Sequence, residues 1–339
     1  MVRSSHLGHQ NKSARGNQSQ QVLFVIPVFD DWASLGTLLE HLDLALSHEE
    51  IPARVLVVDD ASTISSNGAR HLTKLTAIEK VDVLKLKRNL GHQRAITIGL
   101  AYAHKNCSTS MVVVMDSDGE DTPEDVIRLI HTCTAAGYQK IVFARRSQRS
   151  EPWLFKLFYR VYRSIYRLLT GFDIRVGNFS AIPSELLHRL VAVSEIWNHY
   201  AAGILKSKLP YVDIPTQRGH RYHGRSKMNF TALVTHGLSA ISVYGEMVGV
   251  RLLMASCGLI AVTALALFAV IGIRLVTDWA IPGWTSFLVV ALISVILQAF
   301  VISLSFIFLV LIGRNNAGFL PCRDYHHFVL ALEEDFSKV

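Results

Sequence analysis

Two aspartates one residue apart, Asp116 and Asp118, follow the apolar run MVVVM at 111–115. A short run of that kind reads as a buried strand. The Asp116-Ser117-Asp118 step therefore leaves a strand end with two hard oxygen donors. Mg2+ or Mn2+ is often held by one or two carboxylates together with substrate phosphates, and it stabilises negative charge on a departing diphosphate. A lone DxD is a weak signal, because aspartate is common in solvated turns. A second pair, Asp59-Asp60, ends the run RVLVVDD and precedes Ser62-Thr63. It either caps the next helix or accepts hydrogen bonds from a base imide or a ribose. Two further apolar runs end in cationic and polar groups, Arg88-Asn89-Leu90-Gly91-His92 and Arg145-Arg146-Ser147-Gln148-Arg149. Carboxylates gathered at one rim repel each other unless a cation or donor groups neutralise them. No GxGxxG follows the first apolar run and no GxxxxGK[ST] occurs, which argues against dinucleotide and P-loop sites.

These residues share a rim only if the runs before them are strands of one sheet. The pattern predicts strands over Val22–Val28, Arg54–Asp59, Val81–Leu86, Met111–Met115 and Lys140–Ala144. Between them it predicts helices over Ser34–Ser47, Ser66–Thr76 and Gln93–Lys105. Thr122-Pro123 opens another, with Thr as N-cap and Pro at the first helical position. Alternating β and α elements with continuous apolar strands mean an α/β fold, its mostly parallel sheet covered on both faces. Ligands of such sheets bind beyond the carboxyl ends of the strands, where all of these polar groups lie.

The chain has 339 residues, 34 of them basic and 27 acidic, for a net charge of +7. Half of it is hydrophobic and the mean hydropathy is +0.30, which excludes a disordered, collagen-like or disulfide-framework chain. Much of the apolar excess follows Arg251. Leu252–Ile273 and Thr285–Gly313 carry no charge. The shorter, at 1.5 Å per residue, spans about 33 Å against a hydrocarbon core of about 30 Å. The short link, with Pro282-Gly283, makes the pair a transmembrane helical hairpin. Arg251, Arg314 and Arg323 flank it on one side, so both termini and the soluble domain are expected on the cytoplasmic side of the inner membrane. Cys107, Cys133, Cys257 and Cys322 form no CxxC or metal-type spacing and read as free thiols. Residues 1–20 are polar and read as a flexible tail without a secretory signal. Glu151–Thr170 places Lys156, Arg160, Arg163 and Arg167 on one face, opposite Leu154, Leu157, Val161, Ile165 and Leu168. This suits an interfacial helix on anionic lipid, although a solvated cationic face over a core stripe has the same pattern. No nucleic-acid module accompanies the charge, so nucleic acid is not an expected partner.

Taken together, these motifs resemble the family 2 glycosyltransferases with a GT-A (Rossmann-like) fold. Within these the chain is similar to polyprenyl-phosphate sugar transferases of the dolichol-phosphate mannose synthase type. VIPVFDD resembles VIPVYNE, and VVDDAST resembles VVDDGST. RNLGHQRAITIGLAYA resembles RNxGKxxAxxxGLxxA, and MDSDGEDTPED resembles MDADLQDPPE. VFARRSQR matches a basic segment, VGNFSAI resembles VGDFRLI, and RGHRYHGRSKMN resembles RxxRxxGxTKxx. The resemblance covers about Val22 to Leu253, and the paired spans extend it. It implies that Pro27, Phe29, Asp31, Asp59, Asp60, Asn89, His92 and Ser226 contact a nucleotide-sugar. It implies that Asp116, Asp118 and Glu120 hold Mg2+ or Mn2+, and that Arg146, Arg149, Arg218, Arg221 and Lys227 serve the phosphates. The sequence departs from the pattern at Asp30 (for Asn), Ala61 (for Gly), His92 (for Lys), Asn178 (for Asp) and Ser180 (for Arg). The QxxRW motif of processive synthases is absent.

The expected organisation is a polar tail at 1–20, a GT-A domain at 21–232 that includes the helix at 151–170, and an interfacial helix at 233–251. Two spans within 252–313 and a cytoplasmic tail at 314–339 follow. The expected reaction is metal-dependent, inverting transfer of one sugar from a UDP- or GDP-sugar to a membrane polyprenyl phosphate. Direct displacement gives the inversion. Gly219 and Gly224 suggest a flexible loop whose Arg218, Arg221 and Lys227 close over the phosphates. Transfer to a hydroxyl of a glycolipid or glycan is the alternative. It needs a carboxylate base near Asn178, for which Asp173 is the nearest candidate. A second alternative is a non-catalytic, membrane-tethered nucleotide-sugar binder. Two-span anchors often associate, so a homo-oligomer is compatible with either.

Overall fold

The computed structural model describes residues 21–64, 75–146, 153–173, 175–224, 230–277, 283–315 and 318–337. The expected helix at Ser66–Thr76 lies almost wholly outside them. The chain forms two units, one of Met1–Arg149, Arg175–Lys227 and Phe319–Val339, the other of Ser150–Ile174 and Met228–Gly318. Its helices are α1 (Trp32–His48), α2 (His92–Asn106), α3 (Pro123–Ala135), α4 (Trp153–Thr170), α5 (Ser184–Leu190), α6 (Tyr200–Lys206), α7 (Phe230–Ser242), α8 (Gly245–Val276), α9 (Trp284–Asn315) and α10 (Pro321–Asp324).

The first unit is built on an eight-stranded sheet of order β7-β5-β6-β4-β1-β2-β3-β8. The strands are β1 (Val22–Val28), β2 (Ala53–Asp59), β3 (Ile78–Leu86), β4 (Met111–Val114), β5 (Ile141–Arg146), β6 (Ser180–Pro183), β7 (Tyr211–Thr216) and β8 (Val329–Ser337). Strand β1 is apolar throughout because both its faces are covered. Phe24, Ile26 and Val28 join the core under α1 and α3, and Leu23 and Val25 join the core under α2. The close approach of α2 depends on Gly99. A Cβ there would lie 2.6 Å from Val25 Cγ1 and 2.7 Å from Val58 Cγ2. Gly99→Ala is therefore expected to cost about 1–3 kcal/mol by overpacking. An unchanged denaturation midpoint would contradict this packing.

The sheet is mostly parallel, as expected: β1, β2, β3 and β4 pair in parallel, as do β5 and β7, while β6 runs antiparallel to both β4 and β5, and β8 antiparallel to β3. One expectation about this unit is corrected. The segment after 314 is not simply a tail, because α10 and β8 belong to this unit. Val329 packs on the α2 core while Leu330 stays 65% exposed, which is the alternation of an edge strand. Its acidic end is matched by lysines of β3, Lys85 to Glu333 at 2.7 Å and Lys80 to Glu334 at 3.0 Å. The returning chain is anchored by Trp197, which stacks on Phe319 at 3.8 Å, touches Phe328 at 5.2 Å and lies under the Arg94 guanidinium at 5.0 Å.

In the second unit, α8 and α9 are long and apolar enough to cross a membrane. Large side chains such as Leu265, Phe268, Phe287 and Phe308 are exposed along them, a surface that suits lipid rather than water. The two helices meet closely at Gly249, where a Cβ would lie 2.4 Å from Val310 Cγ2. The expected helix at 233–251 is instead split: α7 stops at Ser242, and α8 runs through Arg251 without a break. Tyr244, at the junction, is buried, stacks on Phe172 and meets Tyr166 edge-on. Arg251 donates to the Leu168 carbonyl at 2.6 Å, so it caps the end of α4 besides adding positive charge. On α4, Val161, Ile165 and Leu168 are exposed, whereas Tyr166 is buried. Arg163 forms a bidentate pair with Asp173.

Candidate active site

The site lies beyond the carboxyl ends of β1, β2 and β4, where the parallel strands deliver their carboxylates to one rim. Most of these carboxylates already hold backbone. After β1, Asp30 (φ 52°) accepts from Thr63 N at 2.7 Å and Ile64 N at 3.0 Å, and so fixes the loop after β2. Asp59 Oδ1 accepts from Ser62 N at 2.8 Å. Asp60 is buried and uses both oxygens, accepting from Leu90 N at 2.7 Å and Gly91 N at 2.8 Å. Burial raises its pKa against the effect of those two bonds. Asp60 thus sets the turn at Gly91 (φ 90°) from which α2 begins, and His92 is the first residue of that helix. Phe29 and Asn89 are exposed at the rim, and Pro27 lies within β1.

After β4 the chain makes a tight acidic loop. Asp121 is buried and accepts from Asp116 N at 3.0 Å. Asp118 Oδ1 accepts from Glu120 N at 2.9 Å. Burial, followed by the Asp116 charge, pushes the Asp121 carboxyl up to about 8. Asp118 is also raised, by burial and then by the charges of Asp116 and Glu120, against the opposing Glu120 N–H and Arg221. Gly119 (φ 87°) is required twice over, by its backbone conformation and by the Tyr222 ring, which would lie 2.4 Å from a Cβ.

The loop after β7 covers this turn. Gly219 N donates to Glu120 O and Tyr222 N to Asp118 O, both at 2.9 Å. Arg221 bridges two carboxylates, reaching Asp31 Oδ2 at 2.7 Å and Asp118 Oδ2 at 3.2 Å. Arg218 grips Glu120 through both of its oxygens, at 2.8 and 2.5 Å, and Arg146 lies 3.5 Å from the same carboxylate. Tyr222 OH meets His41 Nδ1 at 2.9 Å, and His223 meets Thr37 at 3.2 Å, which tie the loop to α1. Of the expected site residues, Arg149, Ser226 and Lys227 lie outside the described residues.

On the other side of the acidic loop, His92 Nε2 stands 3.1 Å from Asp116 Oδ1. Burial opposes protonation of His92, but the charge of Asp116, its hydrogen bond to the imidazole, and the charges of Asp121 and Asp118 outweigh it and raise its pKa. Asp116 is lowered: burial would raise it, and His92, Arg146 and Arg221 prevail. Asn178 Nδ2 lies 2.9 Å from the same imidazole nitrogen. Gln93, whose Oε1 accepts from Tyr200 N, donates to Asn178 Oδ1. His92 and Asn178, two departures from the family pattern, are therefore in contact.

The donor set fits a divalent ion that shares its shell with phosphates. Asp116 Oδ1 is buried with the His92 imidazole as its close polar neighbour, and a second carboxylate follows two residues on. Among the described residues, no three acidic, histidine or cysteine side chains converge to hold a metal on their own. That is expected where substrate oxygens complete the shell.

Residues 23–190 match Glycosyl transferase family 2. They form a family 2 glycosyltransferase domain. Its mixed α/β sheet is GT-A-like, as the sequence motifs implied. The glycosyltransferase is 26% identical to the uncharacterized glycosyltransferase YkcC of Bacillus subtilis, over 80% of this chain and 83% of that one. It is also 26% identical to the undecaprenyl-phosphate 4-deoxy-4-formamido-L-arabinose transferase of Proteus mirabilis, over 68% of this chain and 73% of that one. Among solved structures, glucosyl-3-phosphoglycerate synthase from Mycobacterium tuberculosis in complex with Mn2+, UDP-glucose and phosphoglyceric acid aligns at a TM-score of 0.47. It is 16% identical, over 68% of this chain and 80% of that one.

Sequence reasoning missed the supporting residues of the glycosyltransferase site. Asn178 was visible only as a departure from the pattern. Gln93, His41 and Tyr222 gave no signal of their own, because their roles depend on partners far away in the chain.

Proposed function

We propose that the glycosyltransferase moves a single sugar from a UDP- or GDP-sugar to a membrane polyprenyl phosphate, with inversion, at the cytoplasmic face. The observation that carries this reading is that, among the described residues, neither position expected to supply a base for a hydroxyl acceptor, 178 or 173, holds an uncommitted carboxylate. Position 178 is an amide engaged with Gln93 and His92. Asp173, the other candidate, is held by Arg163. A phosphate acceptor is already ionised near neutral pH and needs less help from a base. The work left to the protein is alignment of the acceptor and neutralisation of the departing diphosphate. Asp31 and the loop after β2 border the donor. Arg218 and Arg221, now on carboxylates, are placed to exchange them for phosphate oxygens. Mg2+ or Mn2+, held by Asp116 and Asp118, would supply further positive charge to the leaving group. The exposed apolar surfaces of α8, α9 and α4 support a membrane-borne acceptor.

The test uses the full chain in lipid nanodiscs with UDP- and GDP-sugars. Short polyprenyl phosphate is offered against a glycolipid hydroxyl, and the lipid products are resolved by mass and by anomeric configuration. A glycosyl-phosphate lipid with inverted configuration is expected. Sugar on the hydroxyl acceptor, or retained configuration, would sink the proposal.

A further inference from the structure

We infer that Tyr222 is a positioning residue for transfer: it latches the loop after β7 onto α1 and so holds Arg221 beside the acidic turn. The inference rests on the reading that Arg221 serves the departing diphosphate. It goes beyond that reading, because the motif RxxRxxGxTKxx leaves positions 222 and 223 unspecified and includes nothing of α1.

Tyr222 is held at three points. Its N–H donates to Asp118 O at 2.9 Å. Its ring covers Gly119 so closely that a Cβ there would lie 2.4 Å from both Cδ2 and Cε2. Its hydroxyl shares a hydrogen bond of 2.9 Å with His41 Nδ1, and the two rings meet edge-on with centroids 5.1 Å apart. His223 adds a further tie, Nε2 to Thr37 Oγ1 at 3.2 Å. Thr37 and His41 are four residues apart on α1 and share one face of it. The opposite face of α1 is fixed, because Leu35, Leu38, Leu39 and Leu42 are buried in the core. An open cleft of about 600 Å³ borders the Tyr222 ring, lined by His41, His48, Gly119 and Tyr222 among others. Packing does not close over the ring on that side, so the hydroxyl tie is what fixes it there.

Arg221 grips the same helix at its start, through the N-cap residue Asp31 at 2.7 Å. Tyr222 reaches it roughly three turns further along. The two ties differ in kind. The Arg221 bridge to Asp31 and Asp118 has to break when the guanidinium turns to a phosphate. The side-chain ties of Tyr222 and His223 involve no carboxylate of the rim. They hold the backbone under Arg221 in place while its guanidinium changes partners, and a group fixed in this way reaches the developing charge without reorganisation.

The test uses the full chain in nanodiscs, with Mn2+, a UDP- or GDP-sugar and short polyprenyl phosphate. Tyr222→Phe keeps the ring and removes the hydroxyl. It should lower kcat about three- to tenfold, the scale of one ordinary hydrogen bond, while KM for the nucleotide-sugar stays within about twofold. His41→Ala should do the same. His41→Asn should restore most of the loss, because an amide offers both a donor and an acceptor near the place of Nδ1. In an Arg221→Ala background Tyr222→Phe should cost nothing further, since the latch acts through that arginine. Without substrates, the backbone amides of 217–224 should exchange hydrogen faster in Tyr222→Phe than in the unmutated chain. A slow Arg221→Ala beside an unimpaired Tyr222→Phe would overturn the inference and leave the reading of Arg221 standing. An unimpaired Arg221→Ala would overturn both. A raised KM at unchanged kcat, a full additional loss in the double variant, His41→Asn as slow as His41→Ala, or unchanged exchange of the loop would each overturn the inference alone. If Tyr222→Phe fails to fold, the two His41 variants decide the matter.

Discussion

Asp118→Ala is expected to lower turnover by more than about 100-fold, the scale on which a preorganised electrostatic group contributes to a transition state. Asp118 holds the acidic loop through Glu120 N, anchors Arg221 and offers the second carboxylate beside Asp116. Only the last two roles need its charge. Asp118→Asn separates them, because an amide oxygen can still accept from Glu120 N while the negative charge is gone. Both variants should lose turnover to a similar extent while unfolding at nearly the temperature of the unmutated chain. Recovery of most activity in Asp118→Asn would reduce Asp118 to a loop-shaping residue. Unchanged turnover in Asp118→Ala, with metal dependence intact, would refute the assignment of the site altogether. The measurement is single-turnover transfer of labelled sugar at saturating metal.

The rim that makes this prediction possible was readable because its strands are buried on both faces. Val22–Val28 emerges as a strand over the residues its apolar run delimits, and Thr122 caps α3 by accepting from Asp125 N, as the Thr-Pro step implied. Once the strands were placed, the residues after them had to lie at one edge of the sheet. Short or edge elements carried no such signature. β6 is four residues long and includes Ser and Pro, β7 is largely half-exposed, and β8 has an acidic end that resembles a solvated tail. Their pairing comes from tertiary context, which a local pattern does not encode. The same limit applies inside the site. Asp60 has the residue type of a ribose acceptor, yet both of its oxygens shape the turn before His92. His92 and Asn178 stand out in the sequence as separate departures, 86 positions apart, and only the entry into β6 brings them together.

Arg221→Ala is expected to move two observables in opposite directions, strengthening divalent-ion binding while slowing transfer by about 100-fold. The Arg221 guanidinium lies on Asp31 and Asp118 at once and is mostly buried, with 21% of its side chain exposed. An ion that is to use Asp118 must displace one arm of that bridge. A hydrogen bond to a charged group contributes about 1.5–3 kcal/mol, so removing the competitor should tighten ion binding by about tenfold or more. During transfer the same cation, released from the carboxylates, is available to the phosphates, and its loss leaves the developing charge less well compensated. Arg221→Lys discriminates further: an ammonium keeps the charge but lacks the planar fork that spans two carboxylates, so ion binding should tighten and turnover fall only in part. Calorimetry with Mn2+ in the absence of donor, set beside turnover at saturating metal, reads both effects. If ion affinity and turnover fall together in Arg221→Ala, the arginine is a scaffold for the loop after β7 and not a competitor for the acidic rim. If ion affinity does not move, Asp118 is not shared between the guanidinium and the metal, and the loop need not open for the ion to enter.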